Sequence, residues 1–473
     1  MRNAASEDMT VADTTRYGER LFMAFLFFLI WIPLPVGSNR PWAWSILEIW
    51  IYALSVAWLW GYERGVVAIP HSFIKARPVL MLLFLWLAYC AFQLLPLPAA
   101  MVALLSPEAA KMHALAGSTG WFPLSVDIHA SLDAWLKSLA YALAFALALL
   151  LVTDRRRLES LAKTLVFSGL FQAFYGAFMT LSGLEYGFFI KKFAYIGNAT
   201  GTFVSRNHFA GYLEMCLSCG MGLMIANLDG RITQKSGRQR LRDFMQLLLG
   251  KKFRLRLFLA VMVIALVLTH SRMGNTAFFS SMIAAGGLSL ALSKRAPRSM
   301  VILIASLVVI DIVIVGTWFG VEKVVARLES TSIMHDADRI DVSENALRQW
   351  KDYYLFGSGG GSFYAVFPRY RSGDIAAFFD HAHDDYVEFA SEYGFFGMLI
   401  LASIVIASFA AALEAQFRRR DPLMRGMAFS STMGIVSLMI HSFVDFNLQI
   451  PANAATFMVI LALGWIARNL ESH

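Results

Sequence analysis

"FFDHAHDDYVEFASEYGFFGMLILASIVIASFAAAL", residues 378–413, joins two histidines and five carboxylates to twenty residues, 394–413, that carry no charge. An uncharged apolar run of this length is what a helix needs to cross a hydrocarbon core about 30 Å thick. The rest of the chain repeats the pattern. Of 473 residues, 58% are hydrophobic and 16% charged, which excludes an ordinary soluble domain. Comparable runs fall at 20–36, 42–62, 78–98, 132–152, 159–182, 208–228, 256–271, 274–292, 299–319, 394–413, 425–443 and 453–468. The expected fold is therefore an all-α integral membrane protein of about twelve transmembrane helices.

Basic residues set the expected orientation, because short loops rich in Lys and Arg stay in the cytoplasm. "YERGVVAIPHSFIKARP", "TDRRRL", "DGRITQKSGRQRLRDFMQLLLGKKFRLR", "SKRAPR" and "EAQFRRRDPLMR" follow alternate spans, so all five share one side. The net charge of +8 is then a topology signal, and no nucleic-acid partner is expected. The resulting plan is a cytoplasmic tail at 1–19, nine spans within 20–319, one large periplasmic loop at 320–393, three spans within 394–468, and a cytoplasmic tail at 469–473. Residues 101–131 form an amphipathic excursion on the loop side. Cys90, Cys216 and Cys219 lie inside apolar runs and read as small packing residues.

The long loop holds thirteen Asp or Glu, seven Lys or Arg, and both histidines of the opening stretch. A loop of this length in a compact domain is usually functional. Three further polar segments reach the same membrane face: "GNATGTFVSRNHFAGYLEM" (197–215), "THSRMGN" (269–275) and "HSFVDFNLQIPAN" (441–453). Arginine near a membrane core is costly unless it is paired or faces water, and its fork of donors suits phosphate oxygens. Histidine can accept a proton near neutrality. Together they describe group transfer from a lipid diphosphate. "HAHDD" offers metal-ligating side chains, but no second ligand cluster accompanies it. The glycine run "GSGGGSF" (357–363) lacks the Lys-Ser/Thr ending of a P-loop and is expected to let the loop fold closely over the site.

These segments resemble the bacterial O-antigen ligase and O-antigen polymerase superfamily over residues 90–468. "HDDYVEFASEYGFFG" (383–397) is similar to the ligase pattern of His, a small polar residue, nine residues, Gly, two residues and Gly, here His383, Asp384, Gly394 and Gly397. "GTFVSRNHFAGYLEM", "SRMG", "DRIDVSENALRQWKDYYLFGSGGGSF" and "HSFVDFNLQIPAN" also resemble recurring family segments. The resemblance implies an inverting, metal-independent glycosyltransferase without a cofactor. It would sit in the bacterial inner membrane with its site facing the periplasm. The donor would be an undecaprenyl-diphosphate-linked glycan, and the acceptor a glycan or lipid A core. By the same resemblance His383 is the catalytic base, and Arg206, Arg272 and Arg339 hold the diphosphate.

Supporting candidates are Asp384, which departs from the uncharged residue usual in ligases and would orient His383, and also His381, Arg369, Arg371 and Asp445. Since the stretch leads into a span, residues 381–383 are expected to be helical, which turns His381 away from His383. Plainer readings stand beside these. Arg206 and Arg272 would anchor to lipid head groups, Arg339 would pair with Asp336 or Asp341, and Asp445 would partner a nearby arginine. The long loop and Asp384 favour a polymerase of O-antigen or exopolysaccharide over a ligase or a protein-glycosylating relative. A lipid-linked sugar transporter should instead show charges along a central path, and Asp311 is the main one near the middle of a span.

Overall fold

The computed structural model describes residues 11–227, 251–292, 332–371 and 379–471. Its long helices are α1 (Val11–Trp31), α2 (Pro41–Glu63), α3 (Arg77–Leu94), then two short ones, α4 (Ala99–Leu105) and α5 (Pro107–Leu115). These are followed by α6 (Ile128–Leu151), α7 (Arg155–Leu181), α8 (Arg206–Ala226), α9 (Lys251–Leu268) and α10 (Arg272–Leu292). The chain closes with α11 (Ser332–Asp352), α12 (Asp385–Arg418), α13 (Pro422–His441) and α14 (Pro451–Asn469). Strands among the described residues are confined to two short antiparallel pairs, Leu97–Pro98 with Trp121–Phe122 and Tyr186–Gly187 with Ile190–Lys191.

Eight of these helices are long and apolar enough to cross a membrane: α2, α3, α6, α7, α8, α12, α13 and α14. The runs at 20–36, 256–271 and 274–292 also fall on helices, α1, α9 and α10. The run at 299–319, with Asp311, lies outside the described residues. Side chains that hydrogen-bond the first free amides set several starts: Asp127 before α6, Asp154 before α7, Ser205 before α8 and Asp421 before α13.

The apolar windows of α8 and α14 are 89% buried and that of α13 is 78%, whereas those of α2 and α12 are 28% buried. The first three therefore form the centre, and α2 and α12 face outward. Close approach of α8 to α13 needs small residues, and Gly222 lies against Gly426 with no room for a Cβ on either.

The two ends of the bundle differ in charge. At one end Arg155 pairs with Asp421, Arg156 and Arg157 with Glu19, and Arg468 with Glu414. The histidine-rich loop gathers at the other. There the segment 101–131 proves to be two short helices, and Phe122 and Val102 pack on Tyr353 and Val366 of the long loop.

The α12 helix starts at Asp385, within the acidic stretch, and is broken at Gly394, whose φ of 63° and ψ of −170° are open chiefly to glycine. A Cβ there would lie 2.5 Å from the Gly357 nitrogen. Phe395 N donates to Tyr354 O, and Ser358 N to Ser391 O. Tyr89 and Gln93 of α3 donate to the carbonyls of Tyr393 and Glu392 that the break exposes. The glycine run thus folds closely onto the broken helix.

Candidate functional site

The site is built at the start of α12. Asp384 accepts from the amides of Tyr386 and Val387 and so fixes the first turn. That cap ends the loop at residue 384, and His383 precedes it with a φ of 54°, a conformation rare outside glycine. The expectation that residues 381–383 are helical is corrected on this point. Asp384 Oδ1 therefore serves the helix end rather than His383. Burial raises its pKa above the usual carboxylate value, although the two amides oppose this.

Three neighbouring carboxylates hold the rest of the loop. Asp385 Oδ2 accepts from Ser442 Oγ at 2.7 Å and Leu448 N at 3.1 Å. Glu388, 1% exposed, contacts His381 Nδ1 at 2.7 Å and accepts from Ala382 N at 2.7 Å. Glu392 accepts from Phe363 N at 3.1 Å. Burial pulls the pKa of His381 down, but the charge and hydrogen bond of Glu388 outweigh it, and the group is raised to about 9.

The partner of His383 comes from the turn between α13 and α14. Asp445, 1% exposed, places Oδ1 3.5 Å from His383 Nδ1 and 3.8 Å from His208 Nε2. Burial pushes its carboxyl pKa up, but the two imidazoles overcome this and hold it well below the ordinary range. Asp445 therefore partners imidazoles, where a nearby arginine was expected. The adjacent Phe446 serves as a hub: the rings of His381, His208 and His383 lie 4.3, 4.5 and 4.8 Å from its centroid. His383 Nδ1 is buried and turned toward Asp445.

Arg206 opens α8 two residues before His208. Its Nη1 donates to Asn198 Oδ1 at 3.1 Å, and His270 Nδ1 lies 3.0 Å from the same oxygen. Arg272 opens α10 just after His270, and Gly274 seats that helix against Ala210 of α8. Two helix N-termini, each beginning with arginine, thus stand together, an arrangement that favours anions. Arg339 falls within α11, and its side chain lies outside the described residues.

The other two basic candidates lie apart from this group. Arg369 pairs with Glu108 of α5. Burial raises the pKa of Glu108, but Lys111 and Arg369 outweigh it and leave it below the usual value. Arg371 is exposed at the edge of its segment.

The sequence does not disclose the joint contact of Asp445 and His208 with His383, nor the parts taken by Phe446, Asn198, His270 and Glu388. Only the sequence signal "HSFVDF" (441–446), polar residues interrupting an apolar run, pointed toward this turn.

Residues 257–402 match the family model described as O-antigen ligase. No curated protein matches the chain.

Proposed function

We propose that this chain, whose residues 257–402 match the O-antigen ligase family model, is a membrane glycosyltransferase that moves a glycan from a polyprenyl diphosphate, undecaprenyl diphosphate in bacteria, to an acceptor hydroxyl. The observation that carries this reading is the buried Asp445 carboxylate 3.5 Å from His383 Nδ1. A carboxylate on one imidazole nitrogen orients the ring and favours proton uptake at the other.

In the proposed step His383 Nε2 takes the acceptor proton as the acceptor oxygen bonds to the anomeric carbon. The bond from that carbon to the diphosphate oxygen breaks, and the diphosphate leaves with the electron pair. Attack opposite the leaving group inverts the carbon. Arg206 and Arg272, with Arg339 as a third cation, stabilise the charge that develops on the diphosphate, and the helix N-termini add to that field. His208 and Phe446 hold the imidazole in place. The 3.5 Å separation is long for a hydrogen bond, as such contacts commonly are outside the reacting complex.

The wider scheme assigns about twelve spans, the basic end to the cytoplasm and the site to the periplasm of the inner membrane. Within the family this reading favours a polymerase of O-antigen or exopolysaccharide, on the length of the 320–393 loop. Asp384 no longer contributes to that preference, since any good helix cap meets its structural task. A ligase using lipid A core is the alternative.

Replacing His383 with Ala in cells tests the proposal. Loss of long chains, with single repeat units still attached to the surface lipid, supports a polymerase. Complete chains accumulating on the carrier lipid support a ligase. Glycan of normal length and attachment overturns the catalytic role of His383.

A further inference from the structure

A cavity of about 650 Å³ runs between α2, α3, α6, α12 and α14. Its wall follows α12 from Asp385 to Ile406, which is about 30 Å at 1.5 Å per residue. The deep part is apolar, lined by Leu83, Leu401, Val405, Phe457 and Leu461. The end near the loop is polar, with Asp133, Lys137, Asp380 and His381. A slot with a long apolar shaft and a polar mouth fits a lipid better than a soluble sugar.

Lys137 specifies the head group. It lies on α6, nine residues beyond Ile128 and so about 14 Å into a membrane-spanning helix. Its Nζ stands 3.8 Å from the centroid of the Trp44 ring, and both residues line the cavity. The carboxylates that bear on it most, Asp133 and Glu48, make no ion pair with it among the described residues. Three other wall carboxylates are committed, Asp385 to Ser442 and Leu448, Glu388 to His381 and Ala382, and Glu392 to Phe363, while Asp380 stands at the mouth. A lysine on a cavity wall inside a membrane helix, held over an aromatic face and in no close ion pair among the described residues, marks a place for an anion.

We propose that this cavity is the acceptor site and that it recognises a phosphate-bearing lipid, with the hydrocarbon chain in the shaft and the phosphate at Lys137. The assignment to the acceptor rests on the proposed function, because Arg206 and Arg272, assigned there to the donor diphosphate, do not line this cavity. His381 lines it and stacks on Phe446, whose ring also contacts His383. The acceptor hydroxyl would therefore approach the base from the face opposite the donor. The phosphate has two chemical sources, a polyprenyl diphosphate or a phosphorylated glycolipid.

The test uses the purified full chain, a polyprenyl-diphosphate-linked glycan as donor, and one acceptor sugar on three carriers: polyprenyl diphosphate, a phosphorylated glycolipid, and a phosphate-free alkyl chain. Lys137→Gln is expected to raise the KM of the phosphate-bearing acceptor about tenfold, the loss of one charge-assisted contact, with donor KM and kcat unchanged. Lys137→Arg should stay within about threefold of wild type. The carrier that shows the effect identifies the source. An unchanged acceptor KM, a raised donor KM, or an equal effect on the phosphate-free carrier overturns the proposal.

Retention of each radiolabelled acceptor by the His383→Ala protein separates this from the catalytic reading. Retention that Lys137→Gln weakens supports the site even if no variant transfers glycan. Retention that ignores Lys137 overturns the site even if His383 proves to be the base.

Discussion

Replacing Asp445 with Asn removes one charge and little volume at the point where three segments of the chain meet. Asp445 Oδ1 lies 3.5 Å from His383 Nδ1, with the Asp445 side chain 1% exposed and that of His383 16% exposed. Two unit charges at that distance attract by about 4.7 kcal/mol at an effective dielectric of about 20, and by about 1.2 kcal/mol in bulk water. A buried carboxylate beside a partly open imidazole falls between these limits. That attraction acts when His383 takes up the acceptor proton, so it stabilises the transition state more than the ground state. Its loss lowers kcat about 100-fold. Asp445 is 1% exposed, so both KM values should stay within about threefold of wild type. The assay is transfer of radiolabelled glycan by purified protein, with a melting curve to confirm that Asp445→Asn is folded. A folded variant with kcat within about threefold of wild type would refute the pairing of Asp445 with a catalytic His383.

Two further outcomes separate structure from chemistry in the same loop. Asp384→Asn keeps a good helix cap and should retain activity, while Asp384→Ala should cost about 1 kcal/mol of stability, read from thermal melting; a tenfold fall in kcat for Asp384→Asn would restore the orienting role. His381, raised from 6.5 to about 9 by Glu388 against the effect of burial, adds stability that is complete below the unfolded pKa and is lost as pH rises through about 9. The difference is worth about 3 kcal/mol, so wild-type melting temperature should fall between about pH 6.5 and 9. Glu388→Gln should start lower and lack that fall, and parallel curves for the two proteins would contradict the assignment.

Much of this arrangement was legible because hydropathy reports depth. Eleven of the apolar runs read from the sequence fall on helices, and Arg206, Arg272, His383 and Asp445 were all assigned to one face of the membrane. Depth says nothing about azimuth. Which helix stands beside which is decided by packing such as Gly222 on Gly426 and Gly274 on Ala210, and no period in the sequence encodes it. That is why Asp445 was matched with an arginine at its own depth when its neighbours are His208 and His383. The expected helix at 381–383 failed for a local reason: Asp384 is a strong cap, and a cap ends the region in which helical periodicity applies.

The five carboxylates of the opening stretch divide the labour differently from what their density suggests. Asp384 caps α12, Asp385 ties its first turn to Ser442 and Leu448, Glu388 holds His381 and the Ala382 amide, and Glu392 receives the Phe363 amide. Among the described residues no such task falls to Asp380, which lies on the cavity wall. These contacts over-determine a short loop, which is the condition under which a non-glycine residue keeps a positive φ. His383 holds that conformation beside a carboxylate drawn from a turn 62 positions later in the chain. The local carboxylates therefore fix the backbone, and the remote one acts on the imidazole. The position of a base set this way is referred to α12, α13 and the turn before α14 together. Loosening any one of the three should misplace His383 even where every side chain at the reacting centre is intact.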